Sequence, residues 1–310
     1  MMEMLVSLLL LSLGFIMLVK GADWFVDGAS GIAEKFGIPQ LIIGLTIVAM
    51  GTSAPEAAVS ITAAIKGNAD ITIGNIVGSN ILNVFIILGI SSIITPLMVA
   101  RSTIFREIPF MLLITLLLLL QGINGIVGRF DGIILLLIFL IYLAYLLWMA
   151  KRGNNVDTAV SKKRRLWQSV LGTVAGLAVI VAGSNIAVDA ASTIARILGM
   201  SERFIGLTIV ALGTSLPELV TSVSAARKGN ADIAIGNIVG SNIFNILFVI
   251  GLSAMITPIP FSSGFYMDTI VAVLAGAFLL VCSLRHHELR RSSGIIMLIS
   301  YMLYFVFICI

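Results

Sequence analysis

The chain has 310 residues, of which 59% are hydrophobic and 11% charged, against roughly 25% charged in an ordinary soluble domain, which excludes a water-soluble fold of this size. Cys282 and Cys309 both lie in apolar stretches and His286 and His287 are the two histidines, so neither a disulfide framework nor a Cys/His metal centre is available. A net charge of +4 would suggest nucleic acid in a soluble protein, but here its placement along the chain matters more than its sum.

One membrane span needs about 20 apolar residues. Apolar runs bounded by charges or turn residues predict an all-α membrane protein with ten transmembrane helices, at about 4–32, 40–65, 70–92, 104–122, 130–150, 167–193, 202–226, 232–254, 266–284 and 293–309. The first run follows Glu3 with no basic segment before it, so it reads as a span and not as a cleaved signal. Lys20 lies inside that run and is read as snorkelling to the surface. With the connections numbered alternately, fourteen Lys and Arg collect on one side and four, Lys66, Arg129, Arg196 and Arg203, on the other. The excess marks the cytoplasm. The expectation is a multi-pass plasma-membrane protein with both termini extracellular and a basic cytoplasmic linker at 151–166.

Shifting the sequence by 162 residues superimposes its halves. IGLTIVAMGTSAPE (43–56) returns as IGLTIVALGTSLPE (205–218), KGNADITIGNIVGSNILN (66–83) returns as KGNADIAIGNIVGSNIFN (228–245), and 32 of 51 positions from Pro39 to Gly89 are identical. The expected units are 1–150 and 167–310, with their most similar stretches at about 39–89 and 201–251. Five spans per unit is an odd number, so the second copy is inverted relative to the first. Inverted repeats with helices broken at the bilayer midplane are characteristic of secondary transporters.

Glu56 and Glu218 fall well inside predicted spans with apolar flanks. There a charged side chain costs roughly 2.5–3.5 kcal/mol even on insertion-based scales, and it is functional by default. Pro55 and Pro217 each remove a backbone N–H and clash with the carbonyl four residues earlier, so the carbonyls of Gly51 and Gly213, with Ala49 and Ala211 a turn back, are expected to leave the helix ladder. Thr52, Ser53, Thr214 and Ser215 add hydroxyls in the same turns. Ser79 with Asn83, and Ser241 with Asn245, are four apart and share one helix face. Gly74, Gly78, Gly236 and Gly240 are read as close-packing glycines, and Asn75 and Asn237 as partners of the broken backbone. Carboxylates, hydroxyls and carbonyls make a hard-oxygen cation site: two carboxylates balance one Ca²⁺, and the same pocket suits several Na⁺. The four helices carry no Lys or Arg near the acids, which speaks against an anionic substrate.

At these residues the chain resembles the sodium/calcium exchanger family of the calcium:cation antiporter superfamily, in its compact prokaryotic form. The resemblance rests on GTSAPE with GSNILN and GTSLPE with GSNIFN and covers essentially the whole chain. It implies an antiporter that exchanges Na⁺ for Ca²⁺ by alternating access, electrogenic at three Na⁺ per Ca²⁺, with the first and sixth spans sliding past the others. The ligands it implies are Glu56, Glu218, Thr52, Ser53, Thr214, Ser215, Ser79, Asn83, Ser241 and Asn245, with the carbonyls of Ala49 and Ala211. Asn245, where potassium-dependent relatives carry Asp, speaks against K⁺ transport. GTS in place of GNA favours Na⁺ over H⁺, with a Ca²⁺/H⁺ exchanger as the nearest alternative and a cation channel as a more distant one. Asp27 and Asp189 are read as solvated ends or gate-lining groups. The expected partners are the two ions and the bilayer, with no cofactor, no nucleic acid and no obligate protein. HHEL (286–289) lacks the second histidine of a zinc-protease motif, and no phosphate-binding glycine loop is present, so the chain is not read as an enzyme.

Overall fold

The computed structural model describes residues 2–67, 70–152, 165–200 and 211–309. Among the described residues, eight helices are long and apolar enough to cross a membrane. A ninth span is made if Gln40–Thr52 and Ala54–Ile65, bent by 50° at their junction, count as one. The seventh expected span, 202–226, lies partly outside the described residues; Ala211–Thr214 and Leu216–Arg227 are its described helices. The basic linker likewise lies outside them except at its ends.

The first helix, Met2–Phe36, is about 50 Å long at 1.5 Å per residue, against a hydrocarbon core of about 30 Å, so it must tilt. The helix continues past its apolar run through Ala33, Glu34 and Lys35 and stops where Gly37 takes a positive φ of 64°. It packs antiparallel along Leu166–Ile197. The seam is built from small residues: Gly14 faces Gly183 and Ala187, Gly21 faces Gly176, and Gly28 faces Ser169 and Thr173. Lipid tails are as apolar as leucine, so such a pair gains stability from close backbone approach and not from hiding apolar surface.

The centre is held by Ile71–Ile94 and Ala231–Ile256, the most enclosed spans, although they carry half of the chain's twelve asparagines. Gly236 and Gly240 pack as expected. A Cβ on Gly240 would stand 2.7 Å from Leu45 Cα, and one on Gly236 would stand 2.9 Å from the Leu41 carbonyl. Among the described residues Gly78 has nothing within 4 Å and Gly74 only Phe265, so the close packing expected of them is not seen there.

Two short antiparallel clamps join the halves: Leu97 and Met98 pair with Leu289 and Glu288, and Ile126 and Val127 with Pro260 and Ile259. The 162-residue shift turns Leu97 into Ile259 and Val127 into Leu289, so each clamp is the image of the other.

Candidate functional site: two crossed carboxylates

Each Glu helix carries proline in its first turn, and the N-cap residue just before the helix lies outside helical geometry. Ser53 has φ −78° and ψ 5°, and Ser215 has φ −91° and ψ 5°. Pro55 and Glu56 then open the Ala54–Ile65 helix, and Pro217 and Glu218 open Leu216–Arg227. Helix N-termini carry free N–H groups and partial positive charge, which suits an acidic side chain in the first turn.

These breaks meet across the repeat. Ser53 Oγ donates to Glu218 Oε1 at 2.8 Å, and Ser215 Oγ donates to Glu56 Oε1 at 3.2 Å. Both carboxylates are 1% exposed.

Asparagines complete the surround. Asn75 Nδ2 donates to Ser60 Oγ at 2.9 Å and to the Glu56 carbonyl at 3.4 Å, and Asn237 Nδ2 repeats this with Ser222 Oγ and the Glu218 carbonyl at the same distances. Asn237 Oδ1 in addition accepts from Thr52 Oγ1 at 3.1 Å, which ties one repeat's Glu helix to the other's break. Asn237→Ala is therefore expected to cost about 2 kcal/mol, because buried hydroxyls lose their partner. Thermal unfolding in detergent should show a larger loss for it than for Asn75→Ala, whose site is only part-buried.

Between the central spans, Asn80 and Asn242 each donate from Nδ2 to the other's backbone carbonyl at 3.2 Å. Asn83 Nδ2 donates to Asn242 Oδ1 at 2.9 Å and Asn245 Nδ2 to Asn80 Oδ1 at 3.1 Å. This network holds each of the Asn83 and Asn245 amides by an N–H and leaves their oxygens facing away from it. Asn83 and Asn245 also open π-helical turns, Asn83–Leu88 and Asn245–Ile250, a widening common at functional sites.

Among the described residues, four buried oxygens of this surround have no hydrogen-bond partner, Glu56 Oε2, Glu218 Oε2, Asn83 Oδ1 and Asn245 Oδ1, matched in pairs by the repeat. Buried acceptors left unpaired are costly, and all four are hard-oxygen donors of the kind that Ca²⁺ and Na⁺ take. Ser79 is buried at 5% exposure and Ser241 at 0%, with Ser241 Oγ donating to the Ala49 carbonyl at 3.4 Å.

One expectation fails. The Ala49 carbonyl is not loose, since it accepts from Ser53 N at 3.0 Å and from the Ser241 hydroxyl at 3.4 Å. Proline at 55 deprives only the carbonyl four residues back, that of Gly51, whereas the donor for Ala49 is Ser53, which keeps its N–H. The Gly213 carbonyl is satisfied from outside its helix, by Ser184 Oγ at 2.8 Å. No side-chain surroundings are described for Ala211.

Sequence reasoning passed over Glu107. It is 1% exposed in the span Thr103–Asn124, and its oxygens accept from Tyr142 and Tyr145 at 3.0 and 3.1 Å. The available signal was an acid beside Arg106 followed by two tyrosines three apart in the next span. The ties of Asp27 to Lys228 were also missed, because they join residues 201 apart in sequence.

A family profile described as "Sodium/calcium exchanger protein" matches residues 6–148 and 168–310. The sodium/calcium exchanger MaX1 of Methanosarcina acetivorans is 35% identical over 342 residues, covering 97% of this chain and 98% of that protein. The inner membrane protein YrbG of Escherichia coli (strain K12) is 35% identical, covering 95% and 94%. A solved structure of the sodium-calcium exchanger NCX_Mj, soaked with zero Na⁺ and Ca²⁺, superposes with a TM-score of 0.87 at 32% identity over 99% of both chains. Repeat, crossed carboxylates and whole-length similarity agree, and the chain belongs to the sodium/calcium exchanger family.

Proposed function

We propose that this chain is a secondary active antiporter that exchanges Na⁺ for Ca²⁺ across the plasma membrane by alternating access, electrogenic and independent of K⁺. The observation that carries the reading is the set of four unpartnered buried oxygens on Glu56, Glu218, Asn83 and Asn245. Two carboxylates neutralise one Ca²⁺, which favours six to eight flexible oxygen ligands. Thr52, Ser53, Thr214, Ser215, Ser79 and Ser241 supply hydroxyl oxygens, and the carbonyls of Ala49 and Ala211 complete the shell. In this reading Thr52 keeps its donated bond to Asn237 Oδ1, the Ser241 hydroxyl turns away from Ala49, and the Ala49 carbonyl keeps Ser53 N and gives its second lone pair to the cation.

Exchange follows from competition. A cluster holding Ca²⁺, or enough Na⁺ to match its charge, crosses a low-dielectric barrier, whereas an empty and charged cluster does not. The movement is a slide of the first and sixth spans, supported by the glycine seam between Met2–Phe36 and Leu166–Ile197. Phe25 and Leu177 line a cavity of about 720 Å³ beside that seam and also stand against Gly51. The architecture is that of ten spans in two inverted units, 1–150 and 167–310, joined by the cytoplasmic linker 151–166, with both termini outside. The mirror-related clamps at Leu97 and Ile259 support it.

Ca²⁺ uptake into proteoliposomes loaded with Na⁺ is the direct test. An outward Na⁺ gradient is expected to drive ⁴⁵Ca²⁺ accumulation with inward positive current in the reverse direction, unaltered by K⁺. Equal uptake driven by a pH gradient without Na⁺ would replace the sodium assignment with proton coupling, and flux that needs no counter-ion would make the chain a channel.

A further inference from the structure

The repeated KGN motif contains a charge that the ion site does not use. At the end of Leu216–Arg227, Lys228 reaches across to the first helix. Its Nζ donates to Asp27 Oδ1 at 2.6 Å and to the Asp23 carbonyl at 2.8 Å, with Asp23 Oδ1 at 3.4 Å. Ser224 Oγ donates to Asp23 Oδ1 at 2.7 Å, and Asn230 Nδ2 to Ser30 Oγ at 3.1 Å. Residues 23, 27 and 30 lie three or four apart, so one face of the first helix is fastened to this corner of the second repeat. The side chains of Lys228 and Asp27 are 26% and 35% exposed. A part-solvated pair of this kind is weak, able to bias a conformational equilibrium without freezing it.

The 162-residue shift maps Lys228 onto Lys66, Asp27 onto Asp189 and Asp23 onto Asn185. Because Gly14 of the first helix lies beside Gly183 and Gly28 beside Ser169, Asp189 stands about 25 Å from Asp27 along the antiparallel pair at 1.5 Å per residue. The mapped contacts belong to the opposite end of the molecule, and there they are open. Lys66 and Asp189 are both exposed, and among the described residues Lys66 makes no ion pair. The helices agree: Leu216–Arg227 packs on Met2–Phe36, while its counterpart Ala54–Ile65 makes little contact with Leu166–Ile197. A nearly symmetric sequence is held in an asymmetric structure, shut at the Lys228 end.

We propose that Lys228 with Asp27 and Lys66 with Asp189 are alternating latches, each closing one face of the transporter while the other is open. Resting on the antiporter reading, this adds the source of its directional bias. The Lys228 latch has two carboxylates, Asp23 and Asp27, whereas its counterpart has Asp189 and the neutral Asn185. The resting protein therefore favours the state closed at the Lys228 end, and Ca²⁺ arriving at that face pays for unlatching before it binds.

The test measures half-saturating Ca²⁺ separately at each face of the full-length protein in proteoliposomes of known orientation, with hydrogen–deuterium exchange of segments 20–31 and 224–231 in detergent. Lys228→Gln should lower half-saturating Ca²⁺ at the Lys228 face about threefold relative to the other face and raise deuterium uptake in both segments. Asn185→Asp, which adds the missing carboxylate to the opposite latch, should move the ratio in the same direction, and Lys66→Gln in the opposite one. An unchanged ratio in Lys228→Gln, or equal shifts at both faces, overturns the proposal. If the unaltered protein carries no Na⁺-coupled Ca²⁺, the antiporter reading fails instead. Deuterium uptake then still decides whether Lys228 fastens the first helix, and no rise in Lys228→Gln overturns the latch on its own.

Discussion

Glu56→Gln and Glu218→Gln are each expected to lower Na⁺-driven Ca²⁺ uptake at least a hundredfold, by the same proteoliposome assay. Glutamine keeps the shape and an oxygen that Ser215 or Ser53 can still donate to, so the substitution isolates charge from packing. One carboxylate leaves a net positive charge on bound Ca²⁺ in a site where both acids are 1% exposed. Breaking a buried charge balance costs about 3–5 kcal/mol, and every 1.4 kcal/mol is about tenfold in affinity. Ser53→Ala, which removes a neutral donor to Glu218, should cost about 1 kcal/mol and fall well short of that loss. Near-normal uptake by either glutamine variant would remove the crossed carboxylates from the mechanism. A loss confined to one of them would break the symmetric account of the site.

Gly176→Ala is expected to lower both thermal stability and exchange. The added Cβ would stand 2.5 Å from Phe25 N and 2.8 Å from the Gly21 carbonyl, both backbone atoms that cannot rotate away. The first helix would have to retreat from Leu166–Ile197, and overpacking of this kind costs about 1–3 kcal/mol. Gly264→Ala, where nothing lies within 4 Å, should leave both quantities unchanged. Thermal unfolding in detergent and the uptake assay read the two effects separately. Wild-type behaviour of Gly176→Ala would show that the seam has slack and that close backbone approach does not hold these helices together.

How much of this could be read from the residues depends on the kind of contact. The Glu56 and Glu218 pair was legible because a charge inside an apolar run is costly wherever the helix ends up, and the duplication supplied a second example at the matching place. The glycines at 236 and 240 were legible as packing positions for a similar reason, since their spacing sets them on one helix face. The Ala49 carbonyl was misjudged by extending the effect of Pro55 beyond its single missing donor. Glu107 was overlooked because its protection comes from Tyr142 and Tyr145 on the next span, and nothing in the flanking residues announces that the two spans meet at this height.

From its amino acids alone this protein declares a membrane-embedded duplication with an acid in each copy, since hydropathy and the cost of buried charge act locally and the repeat is visible by direct alignment. Tertiary structure decided which oxygens stay free, because one amide N–H of each of Asn83 and Asn245 is held by the opposite repeat. It also decided which end is closed: Lys66 and Lys228 occupy equivalent sequence positions, and only packing against the first helix makes one of them a partner of Asp27.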